Sequence, residues 1–309
     1  MLINFKLLKK CDFMDNNLEF RPWTQNKRNL MHLNQLKDDI LNNFEELNLK
    51  DEKIVVMLSG GKDSAVALAI AKDLGLNVHL CVHFVHKWSW DISTNEAKKL
   101  ADRFNVPIIF PDITEELAKK TQGAKGKSIC RICKTIMKAR MIDIAKEENA
   151  KIIMTGETAL EKIAGPVFQY MRENNSKLNR KDEFELYKKM ELTKVPKRYK
   201  IHFFRPLIRV GHFDVFNLQK HYKIDIKRVS EAGNKIGYWR EGCCLQYCSP
   251  TCELTTELFD DLYDLNKKAT EIARKNGFRA SITLPTKEIT VIPEEEKYLK
   301  KIEEILKKV

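Results

Sequence analysis

Short apolar runs alternate with amphipathic segments along the first two thirds of the chain. The runs predict five β-strands, at residues 53–58, 78–85, 107–110, 151–155 and 201–204. Helical spacing of apolar residues predicts helices at 65–74, 93–104, 132–148 and 158–171. Strands that alternate with helices indicate βαβ units and a parallel sheet with helices on both faces. The pattern therefore predicts an α/β, Rossmann-like fold built on a five-stranded parallel sheet.

Helical periodicity also marks the two ends of the chain. Residues 30–47 predict an amphipathic helix that leads into the α/β domain. Residues 281–293 predict a short hairpin ahead of a charged last helix. We expect an N-terminal helical extension, an α/β domain with a charged insertion, and a cysteine-containing helical C-terminal region, at residues 1–50, 51–210 with the insertion at 172–200, and 211–309.

The composition and net charge of the chain indicate which class of binding partner to expect. The 309 residues include 55 Lys and Arg against 43 Asp and Glu, a net charge of +12. That excess favours a polyanion such as nucleic acid, although a lysine-rich neutral surface is an alternative. The insertion at 172–200 is either a solvated surface segment or an arm that faces nucleic acid. Because the chain has no apolar run of 18 residues, we expect no membrane span, a cytoplasmic location and reduced cysteines.

One short motif carries the chemistry of a phosphate site. The residues Ser59-Gly60-Gly61-Lys62-Asp63-Ser64 stand between the first predicted strand and its helix. Glycines at such a turn let backbone N–H groups approach a polyphosphate, and the lysine adds a cation. The motif is not a Walker A loop, because Val56 stands where the first glycine belongs and Asp63 follows the lysine.

This motif resembles the SGGxDS signature of the PP-loop ATP pyrophosphatase superfamily, whose fold is adenine nucleotide alpha hydrolase-like. The resemblance implies that residues 59–64 bind ATP with Mg²⁺, that Lys62 and Asp63 are catalytic, and that a substrate is adenylated. It also implies nucleotide-pocket roles for Gly156 and for His83, with His86 nearby. Two tryptophans, Trp88 and Trp90, are candidate stacking surfaces for a base.

The eight cysteines include two clusters. Cys130 and Cys133 are three residues apart at a predicted helix start, so both sulfurs can bind one metal. We expect their basic neighbours to lower the pKa of both thiols; these are Lys127, Arg131, Lys134 and Lys138. Four more cysteines fall within ten positions and indicate a metal site: Cys243, Cys244, Cys248 and Cys252.

A PP-loop followed by a CxxC pair resembles the tRNA thiolases that make 2-thiocytidine or 2-thiouridine. Those enzymes hold a [4Fe–4S] cluster with such a pair and a later third cysteine, and Arg205-Pro206-Leu207 matches their RPL triplet. The resemblance covers about residues 53–250. It implies an ATP-dependent tRNA sulfurtransferase, with hydrosulfide, a persulfide or a carrier protein as sulfur donor. Cys130 and Cys133 would then be cluster ligands and catalytic residues, and a homodimer is an open alternative.

The chain departs from that family at the fourth strand. The family motif TGHNxxD is replaced by residues 155–161, which read TGETALE, so that Glu161 stands at the position of the catalytic aspartate. The RNA-binding module of 4-thiouridine synthetases does not fit into the 50 or so residues before the loop. How the chain holds a tRNA is therefore not given by the resemblance.

Two questions stay open at this point. Either Cys243 or Cys244 joins the CxxC pair as the third cluster ligand, or the four C-terminal cysteines bind a separate zinc ion or second cluster. Cys248 and Cys252 could instead carry a persulfide. The alternative function is activation of a small molecule, as in adenylyl-sulfate reductases, cofactor sulfur insertases or amide-forming ligases, with Zn²⁺ at the C-terminal cysteines. A non-enzymatic RNA-binding module is a third possibility.

Overall fold

The computed structural model describes residues 30–158, 188–195, 200–226 and 243–306. Several predictions from the sequence lie outside these ranges. They are the helix at 158–171 beyond its first residue, the catalytic role of Glu161, and most of the insertion at 172–200.

A six-stranded sheet lies at the centre of the fold. Its strands are β1 (Ile54–Met57), β2 (Val78–Val82), β3 (Ile108–Ile109), β4 (Ile152–Met154), β5 (Leu192–Lys194) and β6 (His202–Phe204), in the order β3-β2-β1-β4-β6-β5. The five predicted strands are all parallel, as expected. The sixth, β5, is an antiparallel edge strand inside the charged insertion, and the apolar pattern missed it. It is only three residues long, and only its Leu192 is buried.

Helices cover both faces of this sheet, as predicted. They are α1 (Leu30–Glu46), α2 (Lys62–Asp73), α3 (Asp91–Arg103), α4 (Thr114–Thr121), α5 (Ile129–Glu147) and α6 (His212–His221). Successive β1 side chains point to opposite faces, so Ile54 and Val56 pack with α1, α2 and α6, whereas Val55 packs with α5. No helix in the described part of the chain is long and apolar enough to cross a bilayer.

The C-terminal residues form a second apolar core. It is built by α7 (Thr256–Lys275), the hairpin of β7 (Arg279–Thr283) and β8 (Glu288–Ile292), and α8 (Glu296–Leu306). The predicted hairpin and final helix are therefore present. The predicted stacking role of Trp88 and Trp90 is wrong, because both indoles are buried in this core. Trp88 packs edge-on against Phe259, and Trp90 packs against Tyr263.

The sheet order places a crevice beside β1. The chain passes from β1 to β2 and β3 on one side, and β4 lies on the other side of β1. In open parallel sheets, ligands bind at such a switch point, beyond the carboxyl ends of the strands. The motif at residues 59–64 follows β1 directly, and Gly156 follows β4 closely, so both lie at this crevice.

A buried ionic network joins α1 to the sheet edge. The Arg209 guanidinium donates to Asp39 Oδ2 at 2.7 Å and to Glu191 Oε2 at 3.3 Å. Asn43 Nδ2 also donates to Glu191 Oε2, at 3.0 Å. Burial raises the pKa of Glu191 to about 7, although Arg209 and Asn43 act in the opposite direction. The ionised carboxylate of Glu191 is therefore stable in this buried position only while the Arg209 guanidinium is beside it.

We predict that Arg209→Met destabilises the fold in a pH-dependent way. At pH 8 it leaves a buried carboxylate without its cation, which should cost about 3 kcal/mol in the free energy of unfolding. The folded carboxyl has a raised pKa, so its contribution to stability is lost as pH rises through about 7. At pH 5 Glu191 is protonated and the destabilisation should be smaller, as measured by urea unfolding.

The exposed Lys50–Glu45 ion pair, which does not act on Glu191, provides the control for this prediction. Lys50→Met should change the free energy of unfolding by less than about 1 kcal/mol at either pH. Equal destabilisation by Arg209→Met at pH 5 and pH 8 would contradict the role assigned to Glu191.

Candidate nucleotide and thiol site

The loop after β1 is fixed by its own serines. Ser59 Oγ lies 3.0 Å from Ser64 Oγ, and the Ser59 N–H donates to Ser64 Oγ at 3.2 Å. Ser64 Oγ donates to the Gly61 carbonyl at 3.1 Å. Gly60 has φ +73°, and a Cβ there would lie 2.5 Å from the Ser93 carbonyl oxygen. Only glycine fits this position, so the loop holds one shape at the start of α2.

A cation and a carboxylate stand together on this loop. Lys62 Nζ lies 2.7 and 2.8 Å from the two carboxylate oxygens of Asp63, and 5.0 Å from the centre of the Phe216 ring on α6. Both side chains are partly exposed at the N-terminus of α2. This arrangement offers a positive charge to a phosphate and carboxylate oxygens to a divalent cation.

The end of β4 packs backbone to backbone against the loop. A Cβ at Gly156 would lie 2.6 Å from the Ser64 nitrogen and 2.7 Å from the Asp63 carbonyl carbon. The next residue, Glu157, accepts from Arg205 Nε at 2.8 Å, and Lys138 Nζ lies 3.8 Å from its other oxygen. Gly156 therefore lies against the loop, which is the location that a residue of the nucleotide pocket would occupy.

Glu157 is a site residue that the sequence pattern did not single out, because Glu161 holds the position of the family's aspartate. Arg205, in the Arg205-Pro206-Leu207 triplet, could have indicated an acidic partner such as Glu157. Its guanidinium is almost fully buried and needs a nearby acid.

The two histidines after β2, His83 and His86, contact different parts of the candidate site. His83 Nδ1 lies 2.8 Å from the Leu58 carbonyl, and its Nε2 lies 3.3 Å from Thr94 Oγ1, so it ties the base of the loop to α3. His86 was expected near the nucleotide, but its Nε2 lies 3.4 Å from Cys243 Sγ. Burial lowers the pKa of His86 to about 4, so its imidazole is neutral. His86 belongs to the cysteine site.

A backbone ribbon brings the two cysteine clusters together. The Gly123 N–H donates to the Leu254 carbonyl at 3.0 Å, the Leu254 N–H donates back to the Ala124 carbonyl at 2.8 Å, and the Gly126 N–H donates to the Cys252 carbonyl at 2.9 Å. A Cβ at Gly126 would lie 2.0 Å from the Ser249 carbonyl oxygen. The glycine-rich loop before α5 is therefore the partner of the C-terminal cysteine segment.

The thiols of both clusters influence one another. Burial, and then Cys130, raise the pKa of Cys133 to about 11. Burial raises the pKa of Cys243 to about 12, and Cys133, Cys130 and Cys248 act in the same direction. The prediction of lowered thiol pKa values is wrong for Cys133, because its burial outweighs the opposing effect of Lys134. Cys130 and Cys133 lie in the first turns of α5, near enough to Cys243 for both thiols to act on its pKa.

The adjacent cysteines Cys243 and Cys244 face different surroundings. Cys244 Sγ donates to the Trp88 carbonyl at 3.0 Å and is fully buried in the C-terminal core. Cys243 is partly exposed and lies beside the CxxC pair. This difference favours Cys243 as the partner of Cys130 and Cys133.

The remaining two thiols form a pair of their own. Cys248 and Cys252 are joined by a side-chain hydrogen bond, and Cys252 Sγ also donates to the Ser249 carbonyl at 3.0 Å. Across residues 30–158, 188–195, 200–226 and 243–306, no three His, Cys, Asp or Glu side chains already surround a common metal position. The donor chemistry nevertheless fits a soft metal, because the thiols of Cys130, Cys133 and Cys248 act on the pKa of Cys243, and the neutral imidazole of His86 contacts Cys243 Sγ.

A protein-family model covers more than half of the chain. The model of the phosphoadenosine phosphosulfate reductase domain matches residues 53–248, from β1 to Cys248. The chain belongs to that family, which is a PP-loop family. The uncharacterized protein MJ1016 of Methanocaldococcus jannaschii is 51% identical to this chain over 298 residues. The alignment covers 94% of this chain and 99% of MJ1016.

One solved structure is similar to this chain over part of its length. It is that of the U34-tRNA thiolase NcsA from Methanococcus maripaludis with its [4Fe–4S] cluster. The two sequences are 16% identical, with a TM-score of 0.47, and the match covers 79% of this chain and 75% of the other.

We predict that Gly156→Ala weakens binding of ATP, the nucleotide that PP-loop enzymes use, by about tenfold or more. The added Cβ would collide with backbone atoms of the loop at Ser64 and Asp63, which cannot rotate away. Calorimetric titration with Mg-ATP measures the effect. Gly75→Ala is the control for a methyl group added away from the loop, because no atom lies within 4 Å of an added Cβ at Gly75. Its positive φ makes alanine unfavourable there, but that strain lies at the far end of α2 from the loop. Equal ATP affinity in both variants would refute the role of the close packing at Gly156.

Proposed function

We propose that this protein is an ATP-dependent tRNA sulfurtransferase, which adenylates a base carbonyl and replaces its oxygen with sulfur. The observation that carries the proposal is the meeting of both cysteine clusters in a chain with a PP-loop. Cys243 lies beside Cys130 and Cys133 at the start of α5, and Lys138 of the same helix reaches Glu157 beside the loop. A nucleotide site and a thiol site are thus linked by one helix.

The loop residues supply the activation half of the reaction. The N-terminus of α2 and Lys62 would hold the pyrophosphate part of ATP, and Asp63 would hold Mg²⁺. The base carbonyl oxygen attacks the α-phosphorus, and pyrophosphate leaves. Lys62 offsets the negative charge on that leaving group. Glu161 remains our candidate for the carboxylate beside the base.

The cysteines supply the sulfur half. Cys130, Cys133 and Cys243 would hold a [4Fe–4S] cluster, whose chemistry is to bind and present inorganic sulfur. Loading such a group displaces protons from thiols that are otherwise protonated, since burial raises the pKa values of Cys133 and Cys243. His86 stands next to Cys243 as a neutral hydrogen-bond partner. Hydrosulfide then attacks the activated carbon of the base. The C–S bond forms, the C–O bond breaks so that AMP leaves with the oxygen, and the S–H proton is released.

The family match favours a second candidate. A reductase-domain description suggests a small sulfur-bearing nucleotide as the substrate in place of tRNA. The two functions differ in whether ATP is cleaved, because a thiolase activates its base with ATP whereas adenylyl sulfate is already an activated adenylate. With the anaerobically purified protein, we expect pyrophosphate release from ATP to depend on an unmodified tRNA transcript. Reduction of adenylyl sulfate or its phosphorylated form, with no response to tRNA, would favour the second candidate.

The adjacent pair Cys243 and Cys244 allows a matched test of the ligand set. Cys243→Ser should remove most of the bound iron, because it removes a thiolate ligand. Cys244→Ser should keep it, because a hydroxyl can still donate to the Trp88 carbonyl in the core. Iron and sulfide analysis with visible absorption measures both. Iron retained in Cys243→Ser and absent from Cys244→Ser would contradict the assignment. Stoichiometric zinc without iron would refute the cluster.

A further inference from the structure

The segment around the first cysteine pair has a one-sided charge. Between residues 117 and 142 the chain carries no Asp or Glu, but it has eight basic residues: Lys119, Lys120, Lys125, Lys127, Arg131, Lys134, Lys138 and Arg140. Glu116 accepts from two of these, Lys120 and Arg140. The local excess of positive charge is therefore much denser than in the chain as a whole.

Four of these residues form a stripe on one helix face. Lys127, Arg131, Lys134 and Lys138 are spaced four, three and four residues apart, which places them on one side of α5 and the turn before it. The first three are exposed, and none of those three forms an ion pair with another described side chain. Cys130 is exposed beside them. We call these four residues the basic stripe.

The position of the stripe disfavours a purely structural explanation. The N-terminus of a helix carries partial positive charge, so cations in the first turns lower helix stability and acids raise it. The first turn of α5 has no acidic residue, yet Arg131 and Lys134 lie in its first two turns. α7, by contrast, has Glu257 in its first turn. The cations of α5 therefore cost stability and are not needed to form the helix.

The stripe connects the two halves of the candidate site. At one end, the Lys127 N–H donates to the Pro250 carbonyl in the ribbon that carries the C-terminal cysteines. At the other end, Lys138 Nζ lies 3.8 Å from Glu157, next to Gly156 and the loop. The eleven residue steps from Lys127 to Lys138 span about 16 Å of helix, so the stripe is long enough to contact several successive phosphates.

We infer that the basic stripe binds the phosphate backbone of the substrate RNA and so places the target base between the thiol site and the loop. This inference rests on the proposed function and names its docking surface. An RNA strand along α5 would bring its phosphates to the exposed cations while the bases face the site.

The test is the salt dependence of binding to a labelled, unmodified tRNA transcript. Removal of one cation that binds a phosphate should reduce the slope of log affinity against log salt by about one. The triple variant Lys127→Gln, Arg131→Gln and Lys134→Gln should therefore lower the slope by about 2 to 3. Its thermal unfolding midpoint should not fall, because the removed charges oppose the helix dipole. Its iron content should match that of the unaltered protein.

A control variant removes the same charge elsewhere. Lys220→Gln, Lys268→Gln and Lys275→Gln change three exposed lysines on α6 and α7, and should leave the slope nearly unchanged. Equal slopes for the two triple variants would overturn the stripe while leaving the proposed function intact. If the unaltered protein does not bind the transcript but turns over a small sulfonucleotide, both the proposed function and the stripe are wrong.

Discussion

The backbone pairing between residues 123–127 and residues 249–254 holds the two cysteine segments together, and the candidate site depends on it. The pairing is tight because Gly126 has no side chain where the Ser249 carbonyl passes. It places Cys243 beside the start of α5, more than a hundred residues away in sequence. Without this pairing the CxxC motif would be an isolated pair of thiols.

At the candidate nucleotide site, a second close backbone contact also holds two distant segments together. Gly156 lets the end of β4 touch the loop after β1, so the two strands at the switch point present their ends together. Arg205 and Lys138 then fix Glu157 at that edge. Both close contacts depend on a missing Cβ, so Gly126 sets the geometry of the thiol site and Gly156 sets that of the nucleotide site.

The sequence predicted the parts that are encoded locally. The five parallel strands follow from short apolar runs, and the loop follows from its glycines and lysine. Trp88 was misassigned because its partners, Phe259 and Asp260, lie some 170 residues away and leave no local trace. The choice between Cys243 and Cys244 depends on which thiol meets the Trp88 carbonyl, a tertiary contact of the same kind. Strand β5 has only one buried residue, Leu192, so it leaves no apolar run in the sequence from which a strand could be predicted.

The central claim is that ATP cleavage at the loop serves sulfur transfer to RNA at the neighbouring thiols. Mass spectrometry of nucleosides from an unmodified tRNA transcript tests it most directly. The transcript is incubated anaerobically with iron-loaded protein, Mg-ATP and a hydrosulfide source. We expect a nucleoside with sulfur in place of oxygen, formed in equal amount with AMP. AMP formation without any thionucleoside, or thionucleoside formation without ATP, would contradict the claim.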